Sequence, residues 1–510
     1  MKLYSGTVVS KTGELVPVFF DGKPMHSKYN PANEGASFAK QSTGGFIVVA
    51  GIGGGFHIEA LLSSIDGDSF VLALESDRES LDFCRGLPKI KELEKSEKIA
   101  LCSTENFCSE LERLYFPAAY TSFSFIPHRA WEDHAQTVCS GLKKMVQEKI
   151  DSLSADFSVQ SHFGKIWQRN ILVNTRFLDE TFPDRINPEK TAAIVAAGPS
   201  LDRSIEKIIQ NPDGYTVFST DTAYGVLISH GVIPDYVVSI DGQAVSSSHF
   251  FIDDGMDKKS TTFVFDLCAN PSAVQIAMER GFRTIFIKSH HPLCSAVTGN
   301  FGPPSVESGS GTVTIAACDL ARQLGAKKIR VFGADFSYSG GKPYCRGTYL
   351  DTNFTSTSTR LSNLETKHSA LMFRTELYEA DAESLFGDRL INPMTSPVMQ
   401  SFKETFLLWC EKYGYKFTGD ALENQHNNCY VNEKPGEQKL SQWIGRLEPI
   451  FKEGGLTVPA SVLTKNTDMY PLFPYAAWLR ARTEYNKVSF FELLKLAYSQ
   501  LRRYTCVYEK

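Results

Sequence analysis

Residues 191–200, TAAIVAAGPS, decide how this chain is read. An apolar β run stops in Gly198-Pro199-Ser200, and a helical pattern, LDRSIEKIIQ, begins at once. The same change recurs at TVFSTDT, YVVSIDG and IRVFGADFSY, where buried-strand patterns end in small or acidic residues. Such a series lines one edge of a parallel sheet, the place where open α/β folds bind nucleotides. Function is therefore sought along that edge.

Working outward, the strand patterns AAIVAAG, TVFSTD, YVVSID, TFVFDL, TIFIKS and IRVFGAD alternate with helical ones such as TAYGVLISHG and TVTIAACDLARQLG. This alternation implies parallel pairing by crossovers. Upstream, FIVVAGIGGGFHIEALLSSI and FVLALESD read as strand, glycine loop, helix and strand, half of a Rossmann-like unit. The expected division is an N-terminal β-hairpin plus Rossmann-like domain over 1–130 and a helical connection over 131–189. A central, mostly parallel α/β domain over 190–432 and a C-terminal helical region over 433–510 complete it. The fold class is α/β.

Bulk properties narrow the partners. The chain has 510 residues, 42% hydrophobic and 22% charged, with a net charge of −5. That balance suits a folded protein of two or three domains and argues against nucleic acid as a partner. Eleven scattered cysteines without any C-x-x-C fit reduced thiols better than disulfides or a cysteine zinc site. No signal peptide and no apolar run of bilayer length is apparent, so a cytoplasmic protein without a membrane span is expected. The oligomeric state is left open.

Several groups could carry chemistry. Gly51 to Gly55, with Glu75 at the end of the next strand, would suit S-adenosylmethionine or a dinucleotide, or is only a tight strand-to-helix turn. Gly198-Pro199-Ser200 places Ser200 to cap a helix whose amides form an anion site, although most such serines are plain caps. Asp221 and Thr222 stand at the next strand end and Asp241 at the one after; acids there suit ribose or base groups better than phosphate. Ser310, Gly311 and Thr312 precede a helix and could wrap a phosphate, or form a flexible loop. Gly333 and Asp335 end the last strand, and Tyr338 and Tyr344 follow on a loop where their hydroxyls could stabilise developing negative charge. His368 lies on the helical stretch LETKHSALM and could take a proton at neutral pH, or be structural. His290-His291 has no partners at ligand spacing, so no metal site is expected.

HSKYNPANEG, GIGGGFHIEALL, VAAGPSLD, FSTDTAYGVLISHGVIPDYVVSID and GADFSY together resemble the motility-associated factor (Maf) family of flagellin glycosyltransferases. Their central domain is shared with hydroxymethylpterin diphosphokinase-like proteins. That domain is also similar to small bacterial sialyltransferases that use CMP-activated sugars. The resemblance implies an inverting transferase that moves a pseudaminic, legionaminic or sialic-type nonulosonic acid from CMP to flagellin Ser/Thr hydroxyls, in support of motility. It matches Gly198, Pro199 and Ser200 to the glycine-proline-serine turn and Ser310-Gly311 to a serine-glycine turn. Gly333, Asp335, Phe336, Tyr338 and Tyr344 match a strand end followed by two tyrosines, with Ser337 inserted. His368-Ser369 matches a histidine-serine pair whose histidine is the base. Asp221 stands where those enzymes carry an asparagine. No essential cofactor is implied, since the CMP-sugar is a substrate and a divalent metal need not take part. The rivals are an ATP-dependent pterin diphosphokinase, a methyltransferase using the Gly51 loop, and a non-catalytic flagellin-binding protein. Tyr470, Phe473, Tyr475 and Trp478 are either an acceptor surface or the core of a helical domain.

Overall fold

The computed structural model describes residues 3–178, 185–250, 260–298, 303–308, 311–424, 440–452 and 458–506. The chain forms two compact units, one of Met1–Lys165 with Ile444–Lys510 and one of Ile166–Trp443. The helix Gln136–Asn174 crosses from one to the other.

The first unit opens with an antiparallel hairpin, β1 (Tyr4–Val9) and β2 (Leu15–Phe19). A parallel four-stranded sheet follows: β3 (Phe46–Ala50), β4 (Phe70–Glu75), β5 (Ile99–Ser103) and β6 (Phe123–Pro127), in the order β5-β4-β3-β6. β3 and β4 are buried at every residue, which is why their patterns are continuous rather than alternating. The glycine loop after β3 is filled by protein. Glu75, fully buried, accepts from Ile52 N at 3.1 Å, Tyr4 Oη at 3.0 Å and the Trp131 indole N–H. The Gly54 amide donates to His26 Nε2 at 2.9 Å. The acid expected to hold a ribose instead fastens the hairpin and the loop together, so this glycine loop is the structural turn and not an open cofactor site.

The C-terminal helices belong to this same unit, tied to it by ring stacking and hydrogen bonding. Phe116 stacks on Phe473 with ring centroids 4.6 Å apart, and Arg480 Nε donates to Ala118 O at 2.8 Å. Gly164 lies so close to Pro474 O that a Cβ would meet it at 1.8 Å. Tyr475 is buried and Trp478 lies under Arg482 and Lys165. The aromatic segment from Tyr470 to Trp478 is thus helical packing.

The second unit carries an eight-stranded sheet. Its parallel members are β7 (Thr191–Val195), β8 (Tyr215–Thr220), β9 (Tyr236–Ser239), β10 (Thr262–Asp266), β11 (Arg283–Ile287) and β12 (Lys328–Phe332). After the short pair β13 (Tyr378–Glu379) and β14 (Met394–Thr395), β15 (Lys416–Thr418) and β16 (Ala421–Glu423) close the far edge antiparallel. The order is β11-β10-β9-β8-β7-β12-β16-β15. Ala192 and Ile194 face the helix Val313–Gln323, while Ala193 and Val195 face Leu201, Ile205 and the helix Asp221–Ser229. Helices cover both faces, as crossovers require.

The order reverses between β7 and β12, so the topological switch point lies at their tips. There the two tips are clamped together. Gly198 N donates to Gly333 O at 2.8 Å, and the Asp335 carboxylate takes both Ser200 N–H, at 2.8 Å, and Ser200 Oγ–H. Ser200 makes no side-chain cap, correcting the expected cap role: its hydroxyl is committed to Asp335. Burial pushes the Asp335 carboxyl up to about 6 against the opposing Ser200 bonds.

Two outcomes follow from this packing. Gly51 has φ +92°, and an added Cβ would lie 2.5 Å from the Trp131 ring. Gly51→Ala should therefore lose roughly 2 kcal/mol or more of stability in urea unfolding. For Asp335, the folded pKa lies above that of an unfolded aspartate, so the folded chain binds more protons between about pH 4 and about pH 6. The group's contribution to stability falls as pH rises through that window and is constant above it. Unfolding of Asp335→Asn across pH should show the variant gaining on the parent by on the order of 2 kcal/mol between pH 4 and 7.

Candidate active site

β8 and β9 bring their acids together beside the clamp. Thr220 caps the helix Asp221–Ser229 by accepting from Ala223 N, which leaves Asp221 in its first turn. Asp221 is buried. One carboxylate oxygen accepts from Thr222 N at 2.7 Å and Thr222 Oγ1 at 3.1 Å; the other accepts from Ser239 Oγ on β9 at 2.7 Å. Asp241, two residues past β9, accepts from Gln243 N at 2.9 Å. Its carboxyl is raised by burial and by the nearby Asp221 charge, against the Gln243 bond. Asn170 fixes this loop from the end of the long helix, donating to Gly242 O and Cys268 O, each at 3.0 Å. Asn174, one turn on, does the same to Leu267 O and Ala269 O.

The loop after β12 returns over these tips. Phe336 has φ 49°, a strained left-handed value for a bulky residue. The chain then runs through Tyr338 and Tyr344, and Cys345 N is pinned to Ala197 O at 2.9 Å. Tyr344 is 39% exposed as a residue, yet desolvation of its hydroxyl end pushes it up to about 12, with further upward contributions from Tyr349, Tyr338, Asp221 and Asp241. Tyr349 is raised by burial and by the same two aspartates. His249 packs edge-on against Tyr349 at 4.2 Å, and burial lowers its pKa against the pull of Asp221 and Asp241. Asp221, Asp241, Tyr338 and Tyr344 are thereby one electrostatic neighbourhood, joined by two residues the sequence did not single out, His249 and Tyr349. Tyr349 lies five residues beyond Tyr344, and that proximity was a usable signal; His249 offered none.

His368 sits on the helix Leu364–Met372, buried, with Nε2 4.0 Å from Asp351 Oδ1. Burial lowers its pKa, Asp351 raises it and Lys342 lowers it, leaving it below the ordinary imidazole value. The imidazole is neutral at neutral pH, with a carboxylate beside it. Lys342 in turn reaches Asp202 at 3.6 Å, and Arg346 N donates to Asp202 at 2.8 Å, so the tyrosine loop and the His368 neighbourhood share one anchor.

The remaining expected residues divide. Gly198, Ser200, Gly333 and Asp335 form the clamp, whose amide and hydroxyl are already occupied. Ser310 lies outside the described residues. Gly311, at φ +96°, and Thr312 precede the helix Val313–Gln323, and among the described residues no hydrogen bond joins them to the Asp221 group. His291 is half-buried and packs edge-on against Trp167, and its Nδ1 accepts from Leu293 N. A 250 Å³ cleft opens at the β12 tip, lined by Asp335, Ser337, Glu379, Asp381, Glu383 and Lys403 among others. It is predominantly acidic, and Lys403 is bound to Asp381 at 2.8 Å, so the cleft does not favour a phosphate.

Residues 169–341 match the family model "6-hydroxymethylpterin diphosphokinase MptE-like". Three uncharacterised proteins of Treponema pallidum (strain Nichols) are related. The first is 36% identical over 145 residues, covering 28% of this chain and 69% of that protein. The second is 44% identical over 114 residues, 41% of its length; the third is 26% identical over 329 residues, 55% of its length. Of the latter two proteins the chain thus spans only about half or less. Among solved structures, a Maf glycosyltransferase from Magnetospirillum magneticum AMB-1 aligns with TM-score 0.53 and 13% identity, over 99% of this chain and 91% of that one. Among the described residues no helix is long and apolar enough to cross a membrane. The chain belongs to the family of the first Treponema protein, with an MptE-like segment at its centre and the fold of a Maf glycosyltransferase from end to end.

Proposed function

We propose that the second unit is a glycosyltransferase that moves a nonulosonic acid from its CMP donor to serine or threonine hydroxyls of flagellin. The observation that carries this reading is the His368 imidazole with Nε2 4.0 Å from the Asp351 carboxylate, on a fold shared with a Maf glycosyltransferase. Asp221 and Asp241 offer acceptors for the ribose hydroxyls and the cytosine amino group. Tyr338 and Tyr344 remain protonated at any physiological pH and can donate to the departing phosphate. Arg374, which favours the ionised form of Tyr338, adds positive charge on that side. The acceptor oxygen attacks the anomeric carbon as its bond to the CMP phosphate breaks. CMP leaves with the bonding electrons, and His368 takes the hydroxyl proton. No step needs a metal, because hydroxyl donors bear the leaving-group charge. The reaction belongs in the cytoplasm, before flagellin is exported.

A second reading rests on the match to MptE-like proteins. In it the same strand tips hold ATP with magnesium and pass pyrophosphate to a pterin alcohol. Calorimetry of the full chain separates the two: the transferase reading expects CMP to bind without magnesium and to weaken in Asp221→Asn, whereas binding of ATP only with magnesium favours the other.

The test of the chemistry is the intact mass of flagellin after incubation with the chain and a CMP-nonulosonate. His368→Ala should cost on the order of 10²-fold or more in turnover. The pH profile gives a finer check. Protonation of His368 abolishes the base, so activity should fall on the acid side with an inflection below about pH 6.5. Asp351 raises the His368 pKa, so Asp351→Asn should move that inflection to lower pH. A profile unchanged by that substitution removes His368 from the role of base.

A further inference from the structure

The first unit holds three histidines that the transferase reading does not use. His26 follows the N-terminal hairpin, His57 opens the helix Phe56–Ser64, and His128 follows β6. They are 3%, 0% and 4% exposed, and a ring nitrogen of each lies within 4.8 Å of those of the other two. Their ring centroids are 4.7 to 5.3 Å apart.

The hydrogen bonds fix which nitrogens are bare. His57 Nε2 lies 2.9 Å from Gly51 O, a group that only accepts, so Nε2 carries the proton. His128 Nε2 faces the Glu34 carboxylate at 3.3 Å, and the same argument applies. A neutral ring then leaves Nδ1 of His57 and Nδ1 of His128 as lone pairs, and both atoms are buried without a hydrogen-bond partner. Two desolvated lone pairs in one small space are costly unless an acceptor of electron pairs lies between them. A backbone carbonyl on one ring and a carboxylate on the next are the partners that orient metal-ligating imidazoles.

We infer that His26, His57 and His128 form a binding site for one divalent transition-metal ion of the zinc class. All-imidazole ligation selects zinc and its neighbours over magnesium or calcium, which take oxygen ligands. No substrate reaches so buried a site, and its ligands come from three separate elements, so the ion ties the hairpin, the glycine-loop helix and the β6 end together. His26 is the weakest ligand, because its Nε2 accepts from Gly54 N–H and the ion must compete with that amide.

The test uses the untagged full chain, stripped with chelator and dialysed against zinc, with bound metal counted by elemental mass spectrometry. About one ion per chain is expected, with a rise in melting temperature over the stripped protein. His57→Gln and His128→Gln, which keep a donor toward Gly51 O and Glu34, should abolish uptake, while His26→Asn weakens it. Cobalt(II) bound to the stripped parent chain, which involves no variant, should give the intense visible bands of a four-coordinate site made by the three imidazoles and one water. Zinc uptake by the parent no greater than by the His57→Gln/His128→Gln double variant, or only the pale spectrum of hydrated cobalt, overturns the proposal and leaves a buried water donating to both lone pairs.

Discussion

Everything placed at the edge of the second sheet depends on a carboxylate bonded to the turn of a neighbouring strand. Asp335 takes both the amide and the hydroxyl of Ser200, and with Gly198 N on Gly333 O it closes the gap between β7 and β12. A topological switch point is normally where an α/β sheet parts to admit a ligand. Here the parting is shut, and the ligand-facing groups shift one strand over, to the tips of β8 and β9. Because Cys345 hangs from Ala197, the tyrosine loop takes its position from the same clamp. Strain at Phe336 is the cost of turning the chain from the clamp into that loop.

The first unit repeats the device. Glu75, at the end of β4, receives the amide of Ile52 in the loop after β3, as Asp335 receives that of Ser200. In both units a side-chain carboxylate stands where a bound phosphate would meet loop amides in a nucleotide-binding fold. The two differ in what covers them. Glu75 is enclosed by Tyr4, Trp131 and Cys84, so its loop is sealed, whereas the strand tips beside Asp335 carry further acids, tyrosines and a neutral histidine.

Much of this was legible in the sequence because buried parallel strands and their turns have strong local signatures. The runs FIVVA, FVLALE and TAAIV have no polar face to give up, and each became a strand inside its sheet. Asp221 and Asp241 were visible as acids at strand ends, and the loop tyrosines as a cluster after Gly333. What local pattern could not supply was the identity of each bond over long separations. Ser200 and Asp335 are 135 positions apart, and a serine before a helix looks the same whether it caps or binds an acid. Asp351 lies on a helix with no signature, and only the fold sets it beside His368. The three histidines of the first unit stand in separate motifs spread over a hundred residues, so spacing rules for metal ligands did not detect them.

The pairing of a sealed loop in the first unit with acid-bearing strand tips in the second has a physical logic. A Rossmann-like half whose loop amides are satisfied internally gains rigidity but loses any affinity for an anion, since each backbone donor serves one acceptor at a time. Glu75 is held at full burial with its carboxyl raised by desolvation, tolerable only because several donors converge on it. Removing one of those donors leaves the charge under-compensated rather than exposing a binding site. The N-terminal hairpin, which supplies Tyr4, is therefore part of the core of that unit, and a nucleotide could not displace it without stranding the acid. Whatever this chain binds at a strand edge, the energetics direct it to the second unit, where the acids of β8 and β9 retain oxygen lone pairs for a ligand's hydroxyl or amino hydrogens.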